Sequence, residues 1–285
     1  MKFIKKFEEH SLYEEYINSS DPKPTLPNLS YCRQEDCVHL NQFVETRIIA
    51  KYNVTSTSSA TTLIYNTSSV ALFSELEIDG IKSEVVKKYT FNTLGEHTVK
   101  FTLVNPTTIA NEMFFSCRNI TSIIIPNNIT TIGKKSFDIC DNLTNITIPN
   151  SITSIGDSAF YRCKKLTNII IPNSVISLGT AIFEQCSSIV SVGPIGSGSS
   201  LELPDNINTI PGEIFYDCSN LTTVNIPNNI TTIDGFAFGR CSKLSTIICN
   251  NLTAPTISND IFYQIKTNGT LYVPIGSTGY DTWMT

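Results

Sequence analysis

Cys117, Cys140, Cys163 and Cys186 stand 23 residues apart, Cys218 follows after 32, and Cys241 after another 23. Three residues before each sits a phenylalanine: Phe114, Phe137, Phe160, Phe183, Phe215 and Phe238. Nine residues after the first three cysteines come Pro126, Pro149 and Pro172, and the same offset from Cys218 gives Pro227. After Cys186 the proline is delayed to Pro204, nine positions late, which places an insertion at about Gly193 to Leu201. One register therefore runs from Phe114 to Cys241. A unit of this length cannot bury its apolar stripe alone, so the chain must stack its repeats into a solenoid.

Within the unit, Leu143, Ile146 and Ile148 have the Leu-x-x-Leu-x-Leu spacing of a leucine-rich-repeat strand, and the alternation points Ile146 and Ile148 to one face. The proline ends that strand because it has no N–H to give to a ladder. A second apolar pair, Ile152 and Ile155, precedes Gly156, where a turn with positive φ is expected. Ala159 and Phe160 should then fold the outer wall inward. The six cysteines have two readings: an interior ladder of free thiols, or cross-links through disulfides or metal. Equivalent side chains on parallel rungs point the same way, whereas a disulfide needs converging Cβ vectors, so the thiol ladder is expected.

The stretch SITSIGDSAFYRCKKLTNIIIP, residues 151–172, resembles the BspA-type leucine-rich repeats of surface proteins from gut and oral bacteria. The same repeats occur in some protozoan surface proteins and in phages of gut bacteria. The resemblance covers roughly residues 105–275. Thr270 to Ser277 (TLYVPIGS) resembles the unit that closes such arrays, with Gln264 and Ile265 where the repeat cysteine would fall. The chain ends soon after Trp283, so a short cap is expected. The fold class is thus mainly β: about six 23-residue repeats plus a cap, over residues 105–285.

Two further parts are expected before the solenoid. Residues 1–44 read as a small module of their own, with a capping box at Ser11-Leu-Tyr-Glu14 opening a short helix from Leu12 to about Asn18. Cys32, Cys37 and His39 form C-x4-C-x-H, without the tight pairs and four clear ligands of a structural zinc site. No metal is assigned to them, and a disulfide or free thiols remain open. Residues 45–104 alternate as strands, at Arg47–Val54, Phe73–Ile78 and Gly95–Leu103, and read as a small β-sandwich. In the last strand Val99, Phe101 and Leu103 share a face, while His97, Lys100 and Thr102 are less apolar. The Gly-x-His-x-Val-x-Phe pattern resembles an immunoglobulin-like or PKD-like domain. The order IKKFEEHSLYEEYI, LPNLSYC, β-module and repeats resembles display proteins of gut Bacteroides and of crAss-like phages that infect them, which implies that residues 1–44 are an attachment segment.

Composition excludes several functions. Lys plus Arg number 20 against 25 Asp plus Glu, a net charge of −5, which argues against a phosphate-reading surface. Charged residues are 16% of the chain, well below the roughly 25% of an average soluble domain. Of the 45 charged residues, 24 lie in residues 1–100, so Ser, Thr and Asn must keep the longer part soluble. No window reaches the roughly 18 apolar residues of a membrane span. The first 16 residues have early lysines but no apolar run, so export through a Sec signal peptide is not expected. The histidines are His10, His39 and His97, all outside the repeats, and no His-Glu-x-x-His, Gly-x-Ser-x-Gly or Gly-Lys-Ser/Thr motif is present. No catalytic, cofactor or metal residue is assigned, and an enzyme is not expected.

What remains is a surface. The residue between the two inward positions of each strand should face outward, giving the row Ile124, Thr147, Ile170, Glu202, Asn225, Ile248 and Tyr272. Ile124, Ile170, Ile248 and Tyr272 are apolar where solvent is expected, and such patches mark partner sites. The other reading is a solvated sheet face of Ser, Thr and Asn. The Gly193–Gly198 cluster reads as a surface loop, or as a binding loop projecting from one edge of the solenoid. The resemblance implies a non-enzymatic virion surface component of a gut-bacterial phage: a head fibre, decoration or tail-associated protein. Its partners would be other virion proteins through residues 1–44 and a bacterial surface glycan or protein through the solenoid, with a trimer or other homo-oligomer as the assembly. The alternative is a BspA-like adhesin at the bacterial cell surface or outside it, binding host matrix or other cells. An intracellular scaffold is a third reading.

Overall fold

The computed structural model describes residues 47–65, 70–104, 107–265 and 269–283. The chain divides into two compact units, Met1–Glu45 and Thr46–Thr285. The expected helix at residues 12–18 and the C-x4-C-x-H cysteines lie outside the described residues. The second unit is mainly β, as the alternating and repeated patterns require.

Its first part holds β1 (Ile48–Val54), β2 (Thr61–Thr62), β3 (Phe73–Ile78), β4 (Ile81–Ser83), β5 (Lys88–Tyr89) and β6 (Gly95–Leu103). The antiparallel order is β4-β3-β6-β1, with β2 and β5 forming a separate pair. Val99, Phe101 and Leu103 are buried, as the alternation requires, but His97 has the same parity and is buried with them. Its ring lies against Phe91, Nδ1 is 2.6 Å from Asp79 Oδ2, and Nε2 is 3.0 Å from the Thr93 carbonyl. Parity outranks polarity here because the partners satisfy the ring inside.

The solenoid makes about seven turns. On one side run the longer strands β8 (Ile120–Ile124), β10 (Asn145–Thr147), β12 (Ile169–Ile170), β14 (Ser191–Pro194), β15 (Leu201–Leu203), β17 (Thr223–Ile226), β19 (Thr246–Cys249) and β21 (Thr270–Tyr272). A second row holds the two-residue strands β7 (Thr108–Ile109), β9 (Thr131–Ile132), β11 (Ser154–Ile155), β13 (Ser177–Leu178), β16 (Thr209–Ile210), β18 (Thr232–Ile233) and β20 (Thr256–Ile257). Like strands of successive turns pair in parallel, for example Ile146 opposite Ile123 and Val224 opposite Ile247. The first part joins this array directly: β1 pairs antiparallel with β8, Ala50 opposite Ile123.

The repeated phenylalanines and cysteines form the core of the turns. Rings from Phe114 to Phe238 stack at 5.4 to 6.0 Å, within 12° of parallel. Phe101 meets the first ring edge-on at 77°, and Trp283 meets Phe262 of the last turn at 60°, so a crossed aromatic ring closes each end. All six repeat cysteines are buried and free. Each of the last five donates its thiol to the carbonyl of the phenylalanine one turn back, as Cys163 Sγ does to Phe137 at 3.2 Å and Cys241 Sγ does to Phe215 at 3.1 Å. Burial pushes these thiols up, Cys241 to about 12, which suppresses the reactive thiolate.

Between the two rows the outer wall alternates in hand. The residues five and one before each cysteine have positive φ, and none is glycine: Lys135 and Ile139, Ser158 and Arg162, Phe236 and Arg240 are examples. Each such residue costs about 1–2 kcal/mol. The alternation aims backbone N–H groups at the next turn, as in Lys135 to Asp157 O, Phe137 to Ala159 O and Ile139 to Tyr161 O at 2.8–2.9 Å. These bonds between turns offset the local strain. Gly156 departs from expectation, since positive φ is not what selects it. A Cβ there would sit 2.7 Å from Lys134 N, so close packing of consecutive turns excludes a side chain.

Candidate binding face

The outward row of the long strands is assembled by register. Thr147 pairs with Ile124, Asn225 with Ile248, and Ile248 with Tyr272. Ile170 follows Thr147, since Asn145 bridges Asn168 in parallel. Ile124, Ile170 and Tyr272 are 41, 57 and 56% exposed; Thr147 is exposed, and Asn225 and Ile248 are half-buried.

Glu202 is different. It occupies the row, opposite Ile170, yet it is buried. The insertion is the cause. After β14 the chain turns back over residues 195–200 and lays β15 between β12 and β14, giving the order β12-β15-β14-β17. Gly193 then stands beside Glu202 in the row. The loop folds over the Glu202 carboxylate, which accepts N–H bonds from Gly196 at 3.0 Å and Gly198 at 3.1 Å. Both glycines have positive φ, near 79° and 73°, which lets the loop close on one side chain. The glycine cluster thus lies across the strand face rather than projecting from an edge. Ser200 fastens the two strands, its Oγ donating to Ser191 O and accepting from the N–H groups of Val190 and Ser191.

Beside the outward row runs a second, free of charge: Ser122, Asn145, Asn168, Ser191, Thr223, Thr246 and Thr270. Farther along each strand, hydroxyls are spent on the ladder, as Thr144 Oγ1 donates to Thr121 O and Thr222 Oγ1 to Val190 O. The two rows can therefore offer apolar contact and neutral hydrogen bonds. Among the described residues no group of three or more His, Cys, Asp or Glu side chains could hold a metal.

The outer wall carries charges the repeat pattern does not flag. Asp138, two residues before Cys140, is buried, and its Oδ1 has no hydrogen-bond partner. Burial raises its carboxyl to about 6, against the pull of Lys135 and Arg162. Glu184, at the same place two turns on, is raised to about 7 by burial and by Glu213 and Asp217.

The family model for the BspA type leucine rich repeat region matches residues 107–193 and 195–279, in six copies. No curated protein matches the chain. Among solved structures, the leucine-rich repeat protein TpLRR of T. pallidum is 24% identical, with 55% of this chain and 65% of that one covered and a TM-score of 0.45. A leucine-rich repeat protein from Eubacterium ventriosum is 26% identical, covering 65% and 50%, with a TM-score of 0.45. A leucine rich cell surface protein from Faecalibacterium prausnitzii is 22% identical, covering 64% and 60%, with a TM-score of 0.42. The chain thus spans half to two thirds of the length of these proteins.

Proposed function

The chain belongs to the BspA-type leucine-rich repeat family, and from that premise we propose that it is a non-enzymatic binding protein of the bacterial cell surface, gripping a partner through its long-strand face. The observation that carries this reading is the row itself. Ile124, Ile170 and Tyr272 stand exposed at one register position of the long strands, where a solvated face would place polar side chains, and the one charge of that row, Glu202, is buried. Neutral hydroxyls and amides beside them suit host matrix protein or the glycan coat of another cell. No helix among the described residues is long and apolar enough to cross a membrane.

In this reading residues 1–44 attach the protein, residues 45–104 act as an immunoglobulin- or PKD-like module, and residues 105–285 display the face. A virion role in a gut-bacterial phage, with residues 1–44 docking on other virion proteins or building a trimer, rests on the resemblance of that segment alone. The adhesin reading therefore leads. The test is retention of the full chain on immobilised matrix proteins and on whole bacterial cells, beside Ile170→Glu and Tyr272→Ser variants. Both side chains are more than half exposed, so melting temperatures should hold while retention falls at least about tenfold, the expectation for hot-spot side chains. Equal retention of wild type and both variants would remove the face from the proposal.

A further inference from the structure

A cleft of about 320 Å³ opens where the residue 55–62 segment of the first part meets the first turn of the wall, at Ser116 to Asn119. It is lined mainly by hydroxyl-bearing residues, among them Thr55, Ser59, Thr61, Thr62 and Ser116. Their accounting differs from that of the strand face. Thr144 and Thr222 give their hydroxyls to the ladder, whereas none of these five has a protein partner for its hydroxyl among the described residues. Thr61 decides the matter. It is only 6% exposed, it sits in β2 opposite Tyr89, and it lines the cleft with no protein partner for its hydroxyl among the described residues. A hydroxyl that no protein group engages is free to bond a group that enters the cleft from outside.

Arg118 is the one charged residue in the lining. Its Nη1 donates to Asp141 at 2.6 Å, which fixes the guanidinium at the rim, and a guanidinium has five N–H donors. The cleft thus combines converging groups that both donate and accept with one anchored cation. Hydroxyls of that kind match the ring hydroxyls of a sugar, and the free edge of the guanidinium matches a carboxylate. We propose that this cleft is a binding site for an acidic sugar, a pyranose bearing a carboxylate, with Arg118 on the acid and Thr61 on a ring hydroxyl. The volume lies at the lower end of ligand sites, which fits one or two sugar rings. The site is separate from the long-strand face, so either can fail without the other.

The experiment is a titration of the full chain with glucuronic acid and with N-acetylneuraminic acid, followed by calorimetry or ligand-observed NMR. Glucose, acetate and inorganic phosphate serve as controls. We expect saturable binding of at least one acidic sugar with a Kd of about 0.1–5 mM, and at least about tenfold weaker binding of glucose and of acetate. Arg118→Gln should weaken the acidic sugar at least about tenfold and leave glucose unchanged, while Thr61→Val should weaken both sugars about threefold. Thr61→Val keeps shape and β-branching, so it stays informative if Arg118→Gln loosens the Asp141 contact. No saturation by either acid up to 20 mM, roughly the limit for a useful site, would overturn the proposal. So would phosphate or acetate binding as tightly as the sugars, or binding that neither variant alters.

Discussion

Asp138 makes the solenoid's stability rise on acidification, against the habit of most carboxylates. Its side chain is 3% exposed, one oxygen lacks a partner, and burial raises its pKa from 3.8 to about 6. A carboxyl whose folded pKa exceeds its unfolded value contributes stability that is fully present below the unfolded pKa and is lost as pH rises through the folded one. The window is therefore pH 4 to 6 for Asp138, and it extends to about 7 through Glu184. That rise corresponds to about 3 kcal/mol at most, and relaxation around the charge would leave about 2. Asp138→Asn removes the charge at nearly constant shape. At pH 8 it should stabilise the chain by about 2 kcal/mol, or about 4–8 °C in Tm for a unit of this size. At pH 4.5 the gap should shrink to about a third of that, because the unfolded carboxyl is still mostly ionised there. Glu77, held below the usual carboxylate range chiefly by Arg47, titrates in the opposite sense and below that window, so the comparison belongs above pH 4.5. A variant less stable than wild type at pH 8, or a gap that does not change with pH, would refute the reasoning.

The remaining expectations concern the core and the insertion. The six repeat cysteines should resist a thiol reagent in the native state and react together on unfolding; fast native labelling of all six would mean the ladder is open. Phe160→Ala removes a fully buried ring stacked on both sides at 5.4 and 5.6 Å, and should cost about 3–5 kcal/mol by urea denaturation; a loss below about 1 would deny the stack its role. Ile146→Asp puts an unpaired charge between turns and should unfold its neighbours, whereas an unchanged melting curve would mean the strand register is wrong. Glu202→Ala frees the N–H groups of Gly196 and Gly198, so the amides of residues 195–200 should exchange with solvent at least about tenfold faster; unaltered protection would show that the carboxylate does not hold the loop.

Most of this fold could be read from spacing. The strand register, the phenylalanine stack, the thiol ladder and the missing cysteine of the last turn all follow from one repeated offset. Phe262 takes the ring position in that turn and Ile265 the cysteine position. Three features hid for physical reasons. The left-handed wall residues are chemically unrelated, from Ile139 to Phe236, because bonds between turns impose their backbone rather than any preference of their own. Gly156 looked like a turn glycine, but it answers to a neighbouring turn that one repeat in isolation does not show. Asp138 and Glu184 fall at a variable position of the unit, so the consensus averages them away. The extra strand did leave a signal. Leu201-Glu-Leu-Pro204 repeats the strand ending Ile169-Ile-Ile-Pro172 without a cysteine or phenylalanine of its own. Two strand endings after a single cysteine mean two strands on one turn.

That surplus strand bears on how the face can be used. The long-strand side carries eight strands from β8 to β21, and the second row carries seven. One side is longer by one strand spacing, about 4.8 Å, while the wall between Phe160 and Phe183 keeps its 5.6 Å step. The mismatch shows on the short side. No backbone ladder joins β13 to β16 among the described residues, so the row splits into two sheets. Pro211 stands where Gly133, Gly156 and Gly179 stand in their turns, and Gly133, Gly156 and Gly179 each donate an N–H to the turn before; proline has none to give. Asn173 bridges the gap instead, accepting from the Asp205 N–H and bonding to Asp205 and Asn206 side chains. The insertion therefore does two things at one place. It covers Glu202, the one charge in the outward row, and it divides the row's apolar residues into Ile124 and Ile170 on one side and the half-buried Ile248 and exposed Tyr272 on the other. On the proposed function, a partner that spans the face would have to accommodate a ridge of glycine and serine at its middle, so the loop would set which partners fit while the isoleucines and tyrosine would supply the contact area.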